Sequence, residues 1–556
     1  MKLDTVVAAA AIVALLGAGT TGAQLPEVLR EMVEVRVVNV DVQVVDAEGE
    51  PVHGLTAEEF RLFEDGEPVE LTNFLALEVG RVAAPPAGPT AAAPTPSPAP
   101  ESPWPPAEPL RLLVFLDNEN LMPAGRRRVA EDLADSLERQ LAAQPDLEAM
   151  IVAATPTVAQ LTPFTRDARQ IRAALASLLE TTPGGVRREA DYRRTMAVIR
   201  EIWELRGCRD FDRMVAEAAQ YAAQRRGQAE QSLTRLGQVV ASMAGLPGRK
   251  GVLFVGDGEP HQPGARIFLF LGELCADRLN EMAFAAMEQS ITGAVEQVTG
   301  AANAGRVTLY TLDAAGLRTY SASSVENDLR VFVPSVVNDA AHFSNLQSPL
   351  WALAEQTGGR AILDTNRPGG EIERVARDFA SYYSLGFRPD RPADGAMHRI
   401  RVELAGRNRG IRLRYRPSYQ DRTEAEKLVQ RALSAGVLGV VENPLSVQVT
   451  VGRATRDGRR ARSVPVEIVV PSEGLESISE AAGPVSYLGV VLTSRDETGR
   501  WLPVRQNVVP LRAGGVERHS IVVQMPLERG ENRIVVAVRD ELSRVASFMT
   551  HSVRLE

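Results

Sequence analysis

At 556 residues the chain is too long for one ordinary core, and at about 100 to 200 residues per domain three or four units are expected. Hydrophobic residues at 44% and charged residues at 24% exclude wholesale disorder. A formal net charge of -9 argues against nucleic acid as a general partner, because phosphate binding needs a concentrated basic surface. The clusters Arg126 to Arg128 and Arg459, Arg460 and Arg462 are short and lie beside Gly125 and Gly458, so they are expected on solvated loops or helix ends.

Residues 1–23 have the form of a secretory signal peptide, with Lys2, an apolar stretch from Val6 to Leu16 and small residues ending at Ala23. No later stretch is long and apolar enough to span a bilayer, so a secreted or periplasmic protein is expected. Residues 24–80 read as a small β module: apolar alternation from Val35 to Val45 with a shift of register, a capping box from Thr56 to Glu59, and a hairpin of 60–63 with 69–74. A module this small cannot bury its own apolar face and should pack on something else. Residues 81–109, rich in Pro, Ala and Ser, read as an extended, semi-rigid spacer.

Residues 110–365 read as an α/β domain. The run from Leu112 to Leu116 is short, branched and aromatic, and is followed by Asp117, Asn118 and Glu119, as at the end of a buried parallel strand. Gly251 to Asp257 and Arg306 to Asp313 have the same form, and helical spacing lies between them, as in Val129, Leu133, Leu137 and Leu141. The fold class is therefore α/β, with one doubly wound, mostly parallel, Rossmann-like sheet. Two helical insertions enlarge it, at about 186–250 with a hinge near Gly207 and at about 260–300. Residues 366–420 supply a helix and a strand pair, 397–404 with 411–415, expected to complete the small β module around an inserted α/β domain. Residues 421–556 carry regular short β runs from Leu445 onward, the pattern of an Ig-like antiparallel sandwich.

In an open sheet ligands sit beyond the carboxyl ends of the strands, which puts Asp117, Glu119 and Asp257 at the expected site. Asp117 closing the first strand, Val255-Gly-Asp-Gly-Glu259, Tyr310-Thr-Leu-Asp-Ala-Ala-Gly-Leu317 and Leu353-Ala-Glu-Gln-Thr-Gly-Gly-Arg360 together resemble a von Willebrand factor A (VWA) domain. With the runs from Val52 to Gly66 and from Ser381 to Phe387, the chain resembles the secreted VWFA-related family best known from acidobacterial genomes, over roughly residues 35–420. The resemblance implies a cation site in which Asp-x-Ser-x-Ser supplies a carboxylate and two hydroxyls, a later aspartate and a loop threonine join them, and a partner's carboxylate completes the shell. Asp117 and Asp257 match the aspartates, but Glu119 and Leu121 stand at the serine positions. Thr182, beside Thr181 and ahead of Pro183-Gly-Gly185, is the nearest candidate threonine. Such a degenerate site either holds Mg²⁺ or Ca²⁺ through its carboxylates or is vestigial, with the acids capping helices and loops.

The six histidines are scattered and no His-Glu-x-x-His, Gly-x-Ser-x-Gly or phosphate-loop pattern occurs, so no enzymatic activity is assigned. His261, near Asp257, is expected to be a loop residue, and Tyr382 and Tyr383 are expected in core packing. Cys208 and Cys275 fall in the two insertions and form either a mutual disulfide or two buried thiols. The expected function is binding of a protein or cell-envelope ligand through the VWA-like domain. A structural envelope protein with a vestigial site and a hydrolase with an unrecognised acidic site are the alternatives.

Overall fold

A computed structural model of the chain describes residues 11–12, 36–78, 81–82, 109–155, 157–318, 335–406, 410–457, 461–480, 483–512 and 517–556. Apart from residues 11–12, 81–82 and Pro109, the expected signal segment and spacer lie outside the described residues, as do Arg459 and Arg460.

Six strands form the central sheet: β1 (Leu110–Leu116), β2 (Leu147–Thr155), β3 (Thr157–Gln160), β4 (Arg249–Gly256), β5 (Val307–Asp313) and β6 (Ala361–Ile362). Their order is 3-2-1-4-5-6, and every pair is parallel except β2 with β3. The direction of winding reverses between β1 and β4, so Asp117 and Asp257, the residues that follow them, flank the topological switch point.

The helices of this domain are α1 (Pro123–Ala143), α2 (Ala168–Leu179), α3 (Gly185–Arg206), α4 (Phe211–Met243), α5 (Ala265–Leu274), α6 (Leu279–Met287), α7 (Thr292–Gly305), α8 (Val336–Glu355) and α9 (Gly369–Ala380). All of β1 and β4 is buried, as a sheet covered on both faces requires. Leu112, Val114 and Leu116 face α1, α2 and α9, whereas Leu113 and Phe115 face α4, α7 and α8. The stretch expected as one second insertion therefore divides: α5 and α6 stand away from the sheet, while α7 is one of its covering helices.

Helix α4 has 33 residues and so is about 50 Å long. Its C-terminal half packs on the sheet through Leu233, Leu236, Val240 and Met243. Its N-terminal half, with Phe211, Met214 and Ala218, joins α3, α5 and α6 in a separate apolar cluster. The chain passes from the end of α4 into β4 within a few residues, so the far half of the helix projects past the carboxyl edge of the sheet.

Strands before and after the α/β domain build a two-sheet sandwich. Val38–Val45 lies beside Tyr382–Phe387, which lies beside Leu71–Glu78, and Arg412–Tyr415 flanks Val38–Val45 on its other side. In the facing sheet Met397–Leu404 pairs with Phe60–Glu64 and with Ser418–Gln420. Two expected pairings are thereby corrected: 397–404 and 412–415 belong to opposite sheets, and only Glu67–Val69 forms the hairpin with Phe60–Glu64 while Leu71–Glu78 crosses over. One sheet could cover only one apolar face, whereas the two together enclose Val40, Val42, Leu62, Leu385 and Ile400. The second of the two expected registers forms the single strand Val38–Val45, while Val37 precedes it and Val35 lies outside the described residues.

The C-terminal part is a second sandwich, with Ala461–Pro471 and Arg518–Glu528 in one sheet and Gly483–Asp496, Gly530–Asp540 and Ala546–Leu555 in the other, around Val466, Ile468, Val490, Val523 and Val536. Helix α10 (Glu424–Leu438) packs on it through Leu428, Ala432 and Ala435. The sequence reading has no helix here, although Thr423 and Glu426 form its capping box. Among the described residues no helix is long and apolar enough to cross a membrane.

Candidate functional site

Asp117, Asp257 and Asp313 mark the ends of three adjacent strands, and all three are buried. Asp117 Oδ2 accepts from Ser232 Oγ at 2.5 Å and from Asn120 Nδ2 at 2.7 Å. Asn120 also bonds Glu259 Oε1, so one amide bridges two buried acids. Asp257 Oδ2 accepts from the Met122 amide at 2.5 Å, one residue before α1 begins. Asp313 is held by Arg318 at 2.8 and 2.9 Å, and the same guanidinium reaches the Asp257 carbonyl at 2.9 Å.

Each central acid keeps one oxygen without a hydrogen-bond partner: Asp117 Oδ1, Asp257 Oδ1 and Glu259 Oε2. The positive charges nearest them are those of Arg188 and Arg225, from the insertion. Burial pushes the Asp257 carboxyl up to about 6, against the nearby Arg188 charge and the Met122 amide. Burial and the Asp117 charge push Glu259 up to about 7, opposed by Arg225 and Arg188. Arg225, itself buried, lies 4.0 Å from Glu259.

Glu119 goes elsewhere. It is half-buried in the wall of a small cavity with Arg187, Arg188, Arg225 and Arg235. Thr182 is exposed, and its carbonyl, 3.5 Å from Asn118 Nδ2, is what faces this loop. Pro183-Gly-Gly185 serves close packing: a Cβ on Gly184 would stand 2.3 Å from the Glu119 carbonyl oxygen, and one on Gly185 2.5 Å from that of Leu121. These two glycines let α3 start directly on the turn after β1. Leu121, at one of the two expected serine positions, is fully buried in the core.

Asp117, Glu119 and Asp257 do not converge on one point. Among the described residues, no trio drawn from Asp117, Glu119 and Asp257 brings its ligand oxygens within 4.8 Å of one another. Asp394, His398 and Asp421, in the first sandwich, do meet that distance. There, however, Asp421 is paired with Arg36 at 3.1 Å and Arg391 at 2.7 Å, while His398 lies between Asp65 at 2.7 Å and Asp394 at 3.2 Å. Such a network carries its own positive charge.

Ser232, Asn120, Glu259, Arg188 and Arg225 were not singled out from sequence. A signal existed for two of them. The buried stripe of α4 runs Ala218, Ala222, Arg225, Ala229, Ser232, Leu236, Val239 and Met243, spaced by fours and threes, and its two polar members are those at the site. Arg126, expected to be solvated, is instead buried, because its guanidinium satisfies the Leu178, Leu179 and Thr181 carbonyls at the end of α2 at 2.9 to 3.1 Å. Its neighbour Arg128 reaches the Ala314 carbonyl at 2.8 Å.

Beyond the acids lies a cavity of about 230 Å³, walled by Arg188, Tyr192, Tyr221, Arg225, Arg318 and His342. Burial, then Arg266, Arg318 and Arg188, hold His342 well below its ordinary value. His261 is a half-buried loop residue whose amide bonds the Asn345 carbonyl at 2.8 Å. Cys208 and Cys275 are joined as a disulfide, with Cα atoms 5.9 Å apart, tying the turn between α3 and α4 to the end of α5. Tyr383 stacks on Phe74 and lies tilted against Phe60 in the sandwich core, and Tyr382 lies under the Arg249 guanidinium at 4.1 Å.

No family model and no curated protein matches the chain. Solved structures similar to it include an aerotolerance-related membrane protein from Bacteroides fragilis (11% identity, 48% of this chain and 98% of that one, TM-score 0.23). Others are the conserved hypothetical protein BatB from Bacteroides thetaiotaomicron (12%, 49% and 98%, 0.23) and the pilus adhesin SpaC from Lactobacillus rhamnosus GG (8%, 80% and 54%, 0.26). Likeness at these scores bears on neither the fold nor the function of this chain.

Proposed function

We propose that the chain is an exported interaction protein built on a VWA-like domain, which binds a protein or cell-envelope ligand without a metal bridge at the sheet's carboxyl edge. The observation that carries this reading is the hydrogen bond from Ser232 to Asp117. It supports a degenerate site in which a hydroxyl from the chain's own insertion takes one oxygen of the first acid, while Arg188 and Arg225 supply the positive charge a cation would bring. The same internally bonded Asp117 favours, as a second reading, a structural envelope protein whose α/β domain has no ligand.

Affinity capture from the envelope fraction of the producing cells, with and without chelator, tests this. Specific capture that is indifferent to chelator supports the proposal. Capture abolished by chelator and restored by Mg²⁺ contradicts the absence of a metal bridge, and no specific capture favours the structural reading.

A further inference from the structure

Far from the carboxyl edge, the first sandwich, the amino-terminal side of the central sheet and α10 meet around a cavity of about 360 Å³. Its walls carry Arg36, Arg416 and Arg422 from the sandwich and the chain leaving it, Lys250 and Arg306 from the α/β domain, and Lys427 and Arg431 from α10. The acid among the lining residues is Asp421, already paired with Arg36 and Arg391.

Several of these cations have internal partners. Lys250 bonds the Ala244 and Leu246 carbonyls at 2.8 and 3.0 Å, Arg422 the Ala304 carbonyl at 2.8 Å, Lys427 pairs with Glu424 at 2.7 Å and Arg431 with Glu442 at 3.2 Å. Arg416 is different. It donates to the Asn39 carbonyl, but its Nε and NH1 are buried with no partner, and the nearby charge of Arg306 opposes its own. A buried guanidinium with two unanswered donors is costly unless an acceptor reaches it.

The geometry points to a binding site for a phosphate-type anion in this junction cavity, with Arg416 and Arg306 as its principal contacts. Guanidinium forks match the oxygens of such an anion better than they match water. The volume lies near the lower end of small-molecule pockets, enough for a phosphate or phosphate ester and small for anything drug-sized. Because the walls come from three parts of the chain, a bound anion would hold those parts together and raise the melting temperature.

The test is thermal unfolding of the full chain in millimolar inorganic phosphate against chloride at matched ionic strength, for wild type, Arg416→Gln and Arg306→Gln. A second arm uses phosphatidylglycerol vesicles to separate a lipid headgroup from a free anion. The expected result is a phosphate-specific rise in wild type and an apparent affinity weakened about tenfold by Arg306→Gln, the loss of one charge-assisted contact. Arg306 is exposed, so its variant should fold even if Arg416→Gln does not. A rise seen only with vesicles and lost in Arg306→Gln also supports the site and assigns it to the headgroup. A rise that is the same in wild type and Arg306→Gln, or no rise with either probe, overturns the proposal.

Discussion

Ser232 and Asp117 are 115 positions apart in sequence, yet the Ser232 hydroxyl lies 2.5 Å from the Asp117 carboxylate, joining the middle of a long insertion helix to the end of the first strand of the sheet. Asp117 is fully buried, so losing that donor would leave its carboxylate with the Asn120 amide alone, beside an Oδ1 that already has no partner. Ser232→Ala is therefore expected to destabilise the chain by about 1–3 kcal/mol. Chemical denaturation would measure this, and a change near zero would mean that the bond contributes nothing net.

The raised carboxyls of Glu259 and Asp257 give a signed pH dependence. An acid whose folded pKa lies above its unfolded value binds protons more readily when folded, so its contribution is full below the unfolded value and lost as pH rises through the folded one. For Glu259 the window runs from 4.5 to about 7, and for Asp257 from 3.8 to about 6. Stability from these groups should thus fall as pH rises through both windows, by roughly 3 kcal/mol for Glu259. Glu259→Gln should flatten the dependence between about pH 5 and 7 while leaving the low-pH stability nearly unchanged. An unchanged slope in urea titrations across pH would show that Glu259 is not the group responsible.

The disulfide between Cys208 and Cys275 closes a separation of 67 residues across the cluster of α3, α5 and α6. Removing it with paired serines should cost on the order of 2–5 kcal/mol. Alkylation under denaturing conditions should label neither cysteine before reduction and both afterwards. Labelling without reductant would contradict the bond.

Tyr382–Phe387 lies between Val38–Val45 and Leu71–Glu78, so the first sandwich depends on a strand that arrives only after the α/β domain. Leu385 is fully buried there, and Leu385→Ala should cost about 2–5 kcal/mol. Hydrogen exchange should speed up in both neighbouring strands while β1 and β4 stay protected. Loss of protection confined to Tyr382–Phe387 would refute that dependence.

The parallel strands were legible because burial on both faces writes a continuous apolar run that ends abruptly, as at Leu116 with Asp117 or Val255 with Asp257. The sandwich pairings were not, since alternation marks a strand without saying which sheet takes it: 397–404 and 412–415 look like a hairpin and are divided. At the site, Asp117 and Asp257 were found from strand ends. Ser232 and Arg225 needed the whole stripe of α4 to be read for polar interruptions, and Arg188 sits on a helix with no such stripe to betray it.

The proposed reading has no metal at the carboxyl edge, where Arg188 and Arg225 lie near the raised carboxyls of Asp257 and Glu259. The most direct measurement is the melting temperature of wild type and Asp117→Ala, with Mg²⁺ or Ca²⁺ raised to millimolar levels against chelator. No ion-dependent rise is expected in either protein. A rise in wild type that Asp117→Ala abolishes would contradict that reading, because only an ion bound through Asp117 in the folded state gives that pattern.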